Sequence, residues 1–302
     1  MLEWILSESF LTNVIAYAIP IIFAAFASLI SNKAGISAIN IEGAMSVAAV
    51  TGALVSHFTG SWVIGLICAM SAGILMMMLL ALAALQLRAD SFLSGIALNT
   101  LATGACLLIV KGVLDGRTDS STAPSVPVPS LKLPLLSDIP VIGKAIFSQN
   151  LLFYLMLIAL ALIVLLLNHT RLGVQIKTAG YHPEAGESVG MSTRRTRAIA
   201  LMICGMMAGL GGAYLSMASL GYFSAGMVSG RGFIGIAAEA MGAGMPIRTT
   251  LFALLFGAVD YFAVGGQTVL SFPYELLNTL PYLMTLLALT LYAAAHNKRK
   301  RG

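Results

Sequence analysis

The sequence predicts an all-α polytopic membrane protein with about eight to ten transmembrane helices, and three observations support this fold class. Hydrophobic residues occupy 58% of the 302 positions, well above the roughly 45–50% of a soluble domain. Charged residues occupy only 10%. Several apolar runs approach or exceed the roughly 18 residues that mark a membrane-spanning helix. We therefore expect a single transmembrane domain over residues 1–302, without a separate soluble domain.

Short polar breaks divide the apolar sequence into candidate spans. Such breaks fall at Ser31–Ala34, His57–Ser61 and Gln86–Asp90. A helix needs about 20 residues to cross the hydrocarbon core of a bilayer, and segments of about this length alternate with the breaks. The predicted spans are 10–30, 36–56, 62–85, 91–114, 151–168, 198–218, 227–246, 249–266 and 276–295.

Two of these segments have features of interrupted helices. Glycines recur in 227–246 and in the region around 35–45, so a broken or re-entrant helix is an alternative to a continuous span at both places. The motifs Ile39–Met45 and Ile236–Gly242 each place a glutamate among small residues. Transporters are often built from two related halves with discontinuous helices. Two pseudo-repeated halves are therefore an open alternative for this chain.

The basic residues lie at the ends of the predicted spans and indicate topology. One group brackets residues 169–197, and another runs from Lys298 to Arg301. Lysine and arginine are enriched in cytoplasmic loops, so we expect both regions, including the C-terminus, in the cytoplasm. Residues 115–149, which are rich in proline, then form an extracellular loop. Because the net charge of +5 follows this pattern, no nucleic-acid partner is expected.

The sequence lacks the common catalytic motifs. It has no phosphate-binding P-loop, no His-Glu-x-x-His and no Gly-x-Ser-x-Gly. Its four histidines lie singly at or near span ends, and its three cysteines fall inside apolar runs without metal-ligand spacing. We therefore predict neither an enzyme nor a metal site, and we expect another source to supply the energy for any work.

Polar residues inside the predicted spans are the candidates for a solute path: Asn40, Glu42, Asn99 and Glu239. A central charge costs about 2.5–3.5 kcal/mol on membrane-insertion scales, so such residues tend to be functional. Structural alternatives remain open. Asn40 and Asn99 can instead hydrogen-bond neighbouring helices, and Glu42 can cap a helix that starts near Gly43. For Glu239 we expect a cavity-facing or paired carboxylate.

The stretch AGYHPEAGESVGMSTRR, residues 179–195, predicts a short polar helix of about two turns between two spans. Pro183 takes a favoured first helical position, and glutamates near that end suit the helix dipole. Gly190 supplies a stop. A rigid, polar helix of this kind suits a surface on which another protein pushes. The candidate contact residues are His182, Pro183, Glu184, Glu187 and Gly190.

Several ordered motifs resemble the permease subunits of ABC importers, and in particular the nucleoside and simple-sugar branch of the branched-chain amino acid permease superfamily. AGYHPEAGESVGMS resembles the cytoplasmic coupling loop of that family. Three further motifs resemble its membrane segments, and DGRTDSS (115–121) and LPLLSDIPVIGKAIFSQN (133–150) resemble the extracellular segment of the shorter nucleoside permease. The three motifs are NKAGISAINIEGAM (32–45), RADSFLSGIALNTLA (88–102) and GRGFIGIAAEAMGAGMP (230–246).

The resemblance implies a permease subunit that carries nucleosides across the bacterial inner membrane. It also implies ABC ATPase subunits that bind the ATP, a second related permease and an extracellular substrate-binding lipoprotein, with no cofactor in this chain. Departures from the family pattern at Ala38, Asn40 and Glu239 bear on the choice of ligand, and Tyr181 and Gly186 depart from it in the coupling loop.

Three other interpretations remain open at this stage. Within the same class, the solute could be a monosaccharide or a branched-chain amino acid. A different class is an ion-coupled carrier that works alone, with Glu42 or Glu239 as a proton site. The third is a membrane scaffold without transport, which would leave the intramembrane polar groups without a role.

Overall fold

The computed structural model describes residues 8–130 and 149–269, together with Thr279, Leu283 and Thr290. Within these residues the regular secondary structure is entirely helical, and seven helices are long and apolar enough to cross a membrane. The predicted class, an all-α polytopic membrane protein, is therefore confirmed. Residues 131–148 and most of the predicted span 276–295 lie outside the described residues.

Ten α-helices follow one another along the described chain. Four of them begin after a residue whose side chain accepts a hydrogen bond from the first turn, namely Asp90, Asn150, Thr170 and Ser192. The helices are α1 (Glu8–Lys33), α2 (Ile41–Thr59), α3 (Trp62–Ala81, continued by a π-helical turn at Leu82–Gln86), α4 (Ser91–Val113), α5 (Leu151–His169), α6 (Arg171–Tyr181), α7 (Pro183–Ser188), α8 (Thr193–Ala213, continued by a π-helical turn at Tyr214–Ser219), α9 (Arg231–Met241) and α10 (Pro246–Val269).

Helix α1 forms the centre of the packed region. It contacts α8, α9 and α10, and Phe23 and Phe26 near its middle are fully buried. Helix α8, which contacts α1, also packs backbone to backbone against α3. A Cβ atom at Gly73 would overlap the Gly205 carbonyl oxygen, and one at Gly209 would lie 2.7 Å from the Met70 Cα. Small residues thus allow the close helix approach that stabilises membrane bundles.

Helix α9 corrects the predicted span at 227–246. It has 11 residues and is therefore roughly 16 Å long, about half of what a bilayer crossing requires. The preceding residues are non-helical and include left-handed backbone at Ser229 and Gly230. Gly235 packs against Ala24 in the middle of α1, and Gly242 packs against Thr249. The crossing is therefore broken, with the N-terminus of α9 at the middle of the bundle.

The segment around 35–45 is interrupted as well. Residues 34–40 are non-helical, and α2 begins only at Ile41. Glu42 lies in the first turn of α2, whereas Glu239 lies near the C-terminal end of α9. The two similar motifs noted in the sequence therefore do not occupy equivalent places in their helices.

Residues 169–197 contain α6, α7 and the start of α8, whereas the sequence predicted one short helix between the two spans. Helix α6 was not predicted, because its low overall hydrophobicity conceals an amphipathic pattern. Gly173, Ile176 and Ala179 are buried at a spacing of three residues, which places them on one face. Gly180 packs against the carbonyl oxygen of Lys33 at the end of α1, so α6 and α7 lie at that end of the bundle.

The described part of the proline-rich segment lies at the opposite end. The His57 Nδ1 atom is 2.9 Å from the Pro124 carbonyl oxygen, and the Ser125 hydroxyl donates to the Ser216 carbonyl oxygen. Residues 115–130 thus pack on the C-terminal ends of α2 and α8. The assignment of this end to the extracellular side stays a prediction.

Candidate functional site

A cavity of about 660 Å³ lies where the first turn of α2, the middle of α4 and the segment leading into α9 meet. Small-molecule sites typically have volumes of about 300–1,000 Å³. Asn99 lies eight residues after Ser91 on α4, or roughly 12 Å along the helix axis, so the cavity lies away from the ends of this helix. Its walls are formed by Glu42, Gly43, Ser46, Asn99, Thr100, Thr103, Gly104, Cys106, Leu107, Phe223, Ala225, Gly226, Val228, Ser229 and Phe233.

Glu42 holds the N-terminus of α9 at this cavity. Its Oε1 atom accepts a hydrogen bond from the Gly230 N–H at 2.8 Å, and its Oε2 atom accepts one from the Gly232 N–H at 2.8 Å. The first N–H groups of a helix have no partner within the helix, and the positive end of the helix dipole favours an anion. Glu42 therefore caps α9 and not its own helix, which was the structural alternative drawn from the sequence.

Asn99 joins α4 to the start of α2. Its Oδ1 atom accepts from the Gly43 N–H at 2.8 Å, and its Nδ2 atom donates to the Ile39 carbonyl oxygen at 3.0 Å. A Cβ atom at Gly43 would lie 2.8 Å from the Asn99 Oδ1, so the residue without a side chain permits this contact. The structure thus brings Asn99 and Glu42 together at one cavity.

Asn40 lies behind this cavity and does not line it. Its side chain is fully buried, and its Nδ2 atom donates to the Met76 carbonyl oxygen of α3 at 3.2 Å. Its Oδ1 atom has no hydrogen-bond partner in the part of the chain that the structure describes. Through this hydrogen bond to Met76, Asn40 joins the start of α2 to α3.

Glu239 lies at the other end of α9, away from the cavity. It is 6% exposed, and its Oε2 atom accepts a hydrogen bond from the Asn32 Nδ2 at 2.6 Å. Its neighbour Lys33 donates to the Tyr181 hydroxyl at 2.9 Å. Glu239 is therefore a carboxylate paired by a hydrogen bond to Asn32, which joins α9 to the end of α1. This contact lies next to Lys33, whose partner Tyr181 closely precedes α7.

Sequence reasoning missed the hydroxyl and aromatic groups that complete the cavity walls. Thr100 and Thr103 lie on the cavity side of α4, and Ser46 lies one turn after Glu42 on α2. Each of these hydroxyls donates to a carbonyl oxygen of its own helix, which leaves oxygen lone pairs as acceptors. The spacing of Asn99 and Thr103, four residues apart on one helix face, is a signal that could have found this wall.

Two aromatic rings also face the cavity. Phe223 is almost fully buried and Phe233 is 47% exposed. Phe233 follows Arg231 and Gly232 in the first turn of α9, so the half-helix contributes both a ring and backbone to the wall. These rings offer apolar surface beside the carboxylate and hydroxyl groups.

An ion pair adjoins the site and was also missed. Arg231 in the first turn of α9 contacts Asp260 of α10 at 3.0 Å, and each side chain is 15% exposed. The Arg231 guanidinium lies 5.4 Å from the centre of the Tyr17 ring. Both charges fall in predicted spans, so pairing opposite charges between spans would have identified them.

The segment that leads into α9 is covered by the described part of the proline-rich loop. The Phe223 N–H donates to the Ser120 hydroxyl at 2.8 Å, and Asp119 pairs with Ser224 through a backbone bridge. At the surface of this loop, hydrogen bonds from the Ser121 hydroxyl and N–H hold the pKa of Asp119 below its usual range. The loop thus closes one end of the region that carries the cavity.

Helix α7 is a short, exposed element with the predicted ends. Pro183 is its first residue, and Gly190 has φ +82° just beyond its C-terminus. The Met191 N–H donates to the Gly186 carbonyl oxygen at 3.0 Å. His182, Glu184 and Glu187 are exposed, whereas Gly186 is buried against Met191. The helix therefore presents its polar side chains outward from a fixed base.

Within residues 8–130 and 149–269, no group of three histidine, cysteine, aspartate or glutamate side chains could hold a metal ion. The three cysteines are free thiols, of which Cys106 and Cys204 are buried. The described walls of the cavity therefore offer hydrogen-bonding groups and apolar surface.

Comparison with known proteins gives a consistent result over most of the chain. The model of the family described as "Branched-chain amino acid transport system / permease component" matches residues 10–289. The chain is 36% identical to the guanosine ABC transporter permease protein NupQ of Bacillus subtilis, across 91% of this chain and 89% of that protein. It is 31% identical to the nucleoside ABC transporter permease protein NupC of Lactococcus lactis, across 93% and 90%.

A more distant relative is named for a sugar. The putative glucose ABC transporter permease protein TsgC13 of Haloferax volcanii is 29% identical, across 83% of this chain and 76% of that protein. No solved structure gave a significant match.

Proposed function

The chain belongs to the family of permease components of branched-chain amino acid transport systems, and from this premise we propose that it is the transmembrane permease subunit of an ATP-driven ABC importer for nucleosides. The observation that carries this proposal is the match to guanosine and nucleoside permeases over nine-tenths of the chain. A glucose permease is the more distant relative, so a sugar is the second candidate solute.

The main cavity suits a nucleoside in size and chemistry. Its volume of about 660 Å³ lies within the range of small-molecule sites. A nucleoside presents ribose hydroxyls, which donate and accept hydrogen bonds, and a base with an apolar face. Thr100, Thr103 and Ser46 offer hydroxyl oxygens, and Phe223 and Phe233 offer ring surface. Glu42 and Asn99 hold the helix ends that shape the wall.

A second, related permease would complete the site. Thr100, Thr103 and Gly104 are exposed on α4 although they line the cavity. Threonine and glycine are enriched where membrane helices pack on one another, so a protein partner on this face fits better than acyl chains. The family resemblance supplies the remaining partners, which are ATPase subunits that bind the ATP and an extracellular substrate-binding lipoprotein.

Helix α7 is the proposed contact with the ATPase, and the structure contains a continuous set of contacts from it to the cavity. Tyr181 closely precedes α7 and accepts from Lys33. Asn32, the residue before Lys33 on α1, donates to Glu239 at one end of α9, and Glu42 caps the other end. A displacement of α7 would therefore reach the cavity wall through the rigid half-helix α9. In this role the α7 end of the bundle faces the cytoplasm.

Uptake in cells tests the substrate. Cells that lack this chain would be restored with the wild type, with Thr103→Val or with Thr59→Val, and uptake of labelled guanosine and uridine would be measured with unlabelled ribose, glucose or leucine as competitors. We expect wild-type uptake that the competitors leave unchanged. Thr103→Val removes an acceptor from the cavity wall and should weaken uptake about tenfold, as expected for one lost hydrogen bond of about 1.4 kcal/mol.

Thr59→Val is the matched control. Thr59 donates to the carbonyl oxygen four residues earlier, as Thr103 does, but it lies at the end of α2 outside the cavity. Its uptake should equal that of the wild type. Inhibition of uptake by glucose or ribose would move the substrate to a sugar, and equal losses in both variants would refute the assigned cavity.

A further inference from the structure

A second cavity, of about 570 Å³, lies at the end of the bundle that carries α6 and α7. It is separate from the cavity proposed for the solute, and it shares no wall residue with it. Its walls combine basic side chains with apolar ones and contain no acidic residue: Lys33, Val164, Leu167, Asn168, Lys177, Gly244, Met245, Pro246, Ile247 and Arg248.

Three cations from three different elements converge on this cavity. Lys33 comes from the end of α1, Lys177 from α6, and Arg248 from the first turn of α10. In the described part of the chain, neither Lys177 nor Arg248 has a side-chain hydrogen bond or an ion pair. Lys33 donates one hydrogen bond, to Tyr181, and an ammonium group has three donors. The cavity therefore has donors in excess.

Among the described residues, nearby negative charge does not balance these cations. Glu239 lies near Lys33, since both side chains approach Gly244, and it already accepts a hydrogen bond from Asn32 at 2.6 Å. One carboxylate beside three cations leaves a net positive charge around the cavity. A bound anion would remove the mutual repulsion of Lys33, Lys177 and Arg248, which lie on separate elements.

The apolar part of the wall continues onto surface that faces the membrane. Ile247 is 61% exposed, and Leu251, one helical turn later on the same face of α10, is 63% exposed. Arg248 lies between them in sequence, at the start of a helix long enough to span the bilayer. Basic groups at the end of spans and apolar groups along them match the headgroup and the acyl chains of a lipid.

From these observations we propose that this cavity binds the phosphate group of an anionic phospholipid. Lys33, Lys177 and Arg248 would hold the phosphate, Asn168 would donate a further hydrogen bond, and an acyl chain would lie along Ile247 and Leu251. The shared chemistry is that of a phosphate, and the apolar wall favours a lipid over a free phosphate. The bound lipid would tie α1, α6 and α10 together next to the segment that leads into α7.

Lipid binding to the purified full chain tests this proposal without any transport. The chain in detergent would be titrated with phosphatidylglycerol, and with phosphatidylcholine of the same acyl chains, and bound lipid would be counted by native mass spectrometry. The variants are Lys177→Gln/Arg248→Gln and, as a matched control, Arg194→Gln/Arg195→Gln. The control removes two exposed cations from the same end of the bundle, outside the cavity. Glycerol 3-phosphate would be added as a soluble competitor.

We expect one phosphatidylglycerol to bind in preference to phosphatidylcholine. The Lys177→Gln/Arg248→Gln variant should bind it about thirtyfold more weakly, from about one kilocalorie for each cation, and the control should bind as the wild type does. Equal binding of the two lipids, or equal weakening in both variants, would overturn the proposal. Complete displacement by glycerol 3-phosphate would also overturn it, since the ligand would then be a soluble phosphate ester.

Discussion

The first turn of α9 concentrates charge at one place inside the bundle. Its backbone N–H groups bind Glu42, and its Arg231 side chain binds Asp260. A half-helix whose N-terminus lies inside the membrane region needs its unpaired N–H groups satisfied by protein, because lipid offers no donors or acceptors. The two carboxylates therefore anchor the same turn from opposite sides, one from α2 and one from α10.

The Arg231–Asp260 pair gives the first prediction at this scale. Asp260→Asn leaves the guanidinium without its counter-ion, and removal of one partner of a largely buried pair costs about 3–5 kcal/mol. Arg231→Met/Asp260→Leu removes both charges and should be less destabilising than the single change. The measurement is thermal unfolding of the full chain in detergent.

Asp115→Asn serves as the control for this pair, because Asp115 is exposed in the loop after α4. It should leave the unfolding temperature unchanged. A double variant that unfolds at a lower temperature than Asp260→Asn would show that the unpaired guanidinium is not what destabilises Asp260→Asn.

Gly232 gives a second prediction, based on close approach. A Cβ atom there would lie 2.6 Å from the Glu42 Oε2 and 2.8 Å from the Glu42 Cα. Gly232→Ala should therefore displace Glu42 from the start of α9 and leave buried N–H groups unpaired, at about 1–3 kcal/mol for each. We expect reduced thermal stability and at least a roughly tenfold loss of nucleoside uptake.

Gly112→Ala is the matched change. Gly112 lies on α4, where a methyl group on its Cα would meet no other atom within 4 Å, and alanine gains up to about 1 kcal/mol over glycine inside a helix. Stability should rise slightly or stay the same. If Gly232→Ala behaved as Gly112→Ala does, the contact between Glu42 and α9 would not constrain the site.

Part of the site could be predicted at the residue scale. Intramembrane polar residues are costly, and this reasoning identified Glu42 and Asn99, which do line the cavity. It also selected Asn40 and Glu239, whose partners on α3 and α1 are distant in sequence. The free-energy cost of a polar side chain in the membrane does not distinguish a residue of the cavity wall from a buried residue that joins two helices, because both need a hydrogen-bond partner. That distinction depends on which helices meet.

At the scale of elements, α7 combines fixed ends with an exposed polar face. Pro183 begins it, and Gly190 turns the chain after it with φ +82°. The side chains of Glu184 and Glu187 are exposed, away from the contact of Gly186 with Met191. The exposed side chains of such a helix can contact another protein without a change in the fold of this chain.

Charge reversal on α7 is the third prediction. Glu187→Lys places a cation in the last turn, which the helix dipole tolerates, so the level of the chain in the membrane should match that of the wild type. Uptake should be abolished, because the contact with the ATPase would lose its charge complementarity. Immunoblotting of membranes and uptake of labelled guanosine are the two measurements.

The control is Asp115→Lys, which makes the same change of charge at the opposite end of the bundle. Its uptake should remain close to that of the wild type. Normal uptake with Glu187→Lys would exclude this residue from the coupling contact, whereas loss of the chain from the membrane would show a structural role for Glu187 instead.

The long elements could be predicted from the sequence, and the short ones only in part. The length of the apolar runs was sufficient to predict the seven long helices, since each helix is apolar over nearly its whole length. Helix α7 has its own capping residues and was found. Helix α6 has low overall hydrophobicity and depends on packing against α5 and α8. The length of α9 depends on Glu42, a residue 188 positions from Gly230, and local pattern does not contain that information.

For the whole molecule, the half-helix α9 connects one end of the bundle to the middle of the bundle. At one end α7 and Tyr181 adjoin Lys33 and Glu239. Near the middle, the N-terminus of α9 lies at Glu42 and at the cavity proposed for the solute. Because both intramembrane glutamates have hydrogen-bond donors, each has a structural role in the described state. Under the proposed function, a motor acting on α7 would move the cavity wall through α9, and neither Glu42 nor Glu239 would need to carry a proton.

The source of energy gives the last prediction. In cells or vesicles that contain the complete importer, vanadate should stop nucleoside uptake because it blocks the ATPase partner, while a protonophore should leave initial uptake unchanged as long as ATP is maintained. An ion-coupled carrier would respond in the opposite way to both reagents. Glu239→Gln separates the two mechanisms within this chain: it keeps an acceptor for Asn32 but cannot carry a proton. From an ATP-driven permease we expect this variant to retain uptake that vanadate inhibits. If the protonophore inhibits wild-type uptake and Glu239→Gln abolishes uptake, Glu239 is instead a proton site.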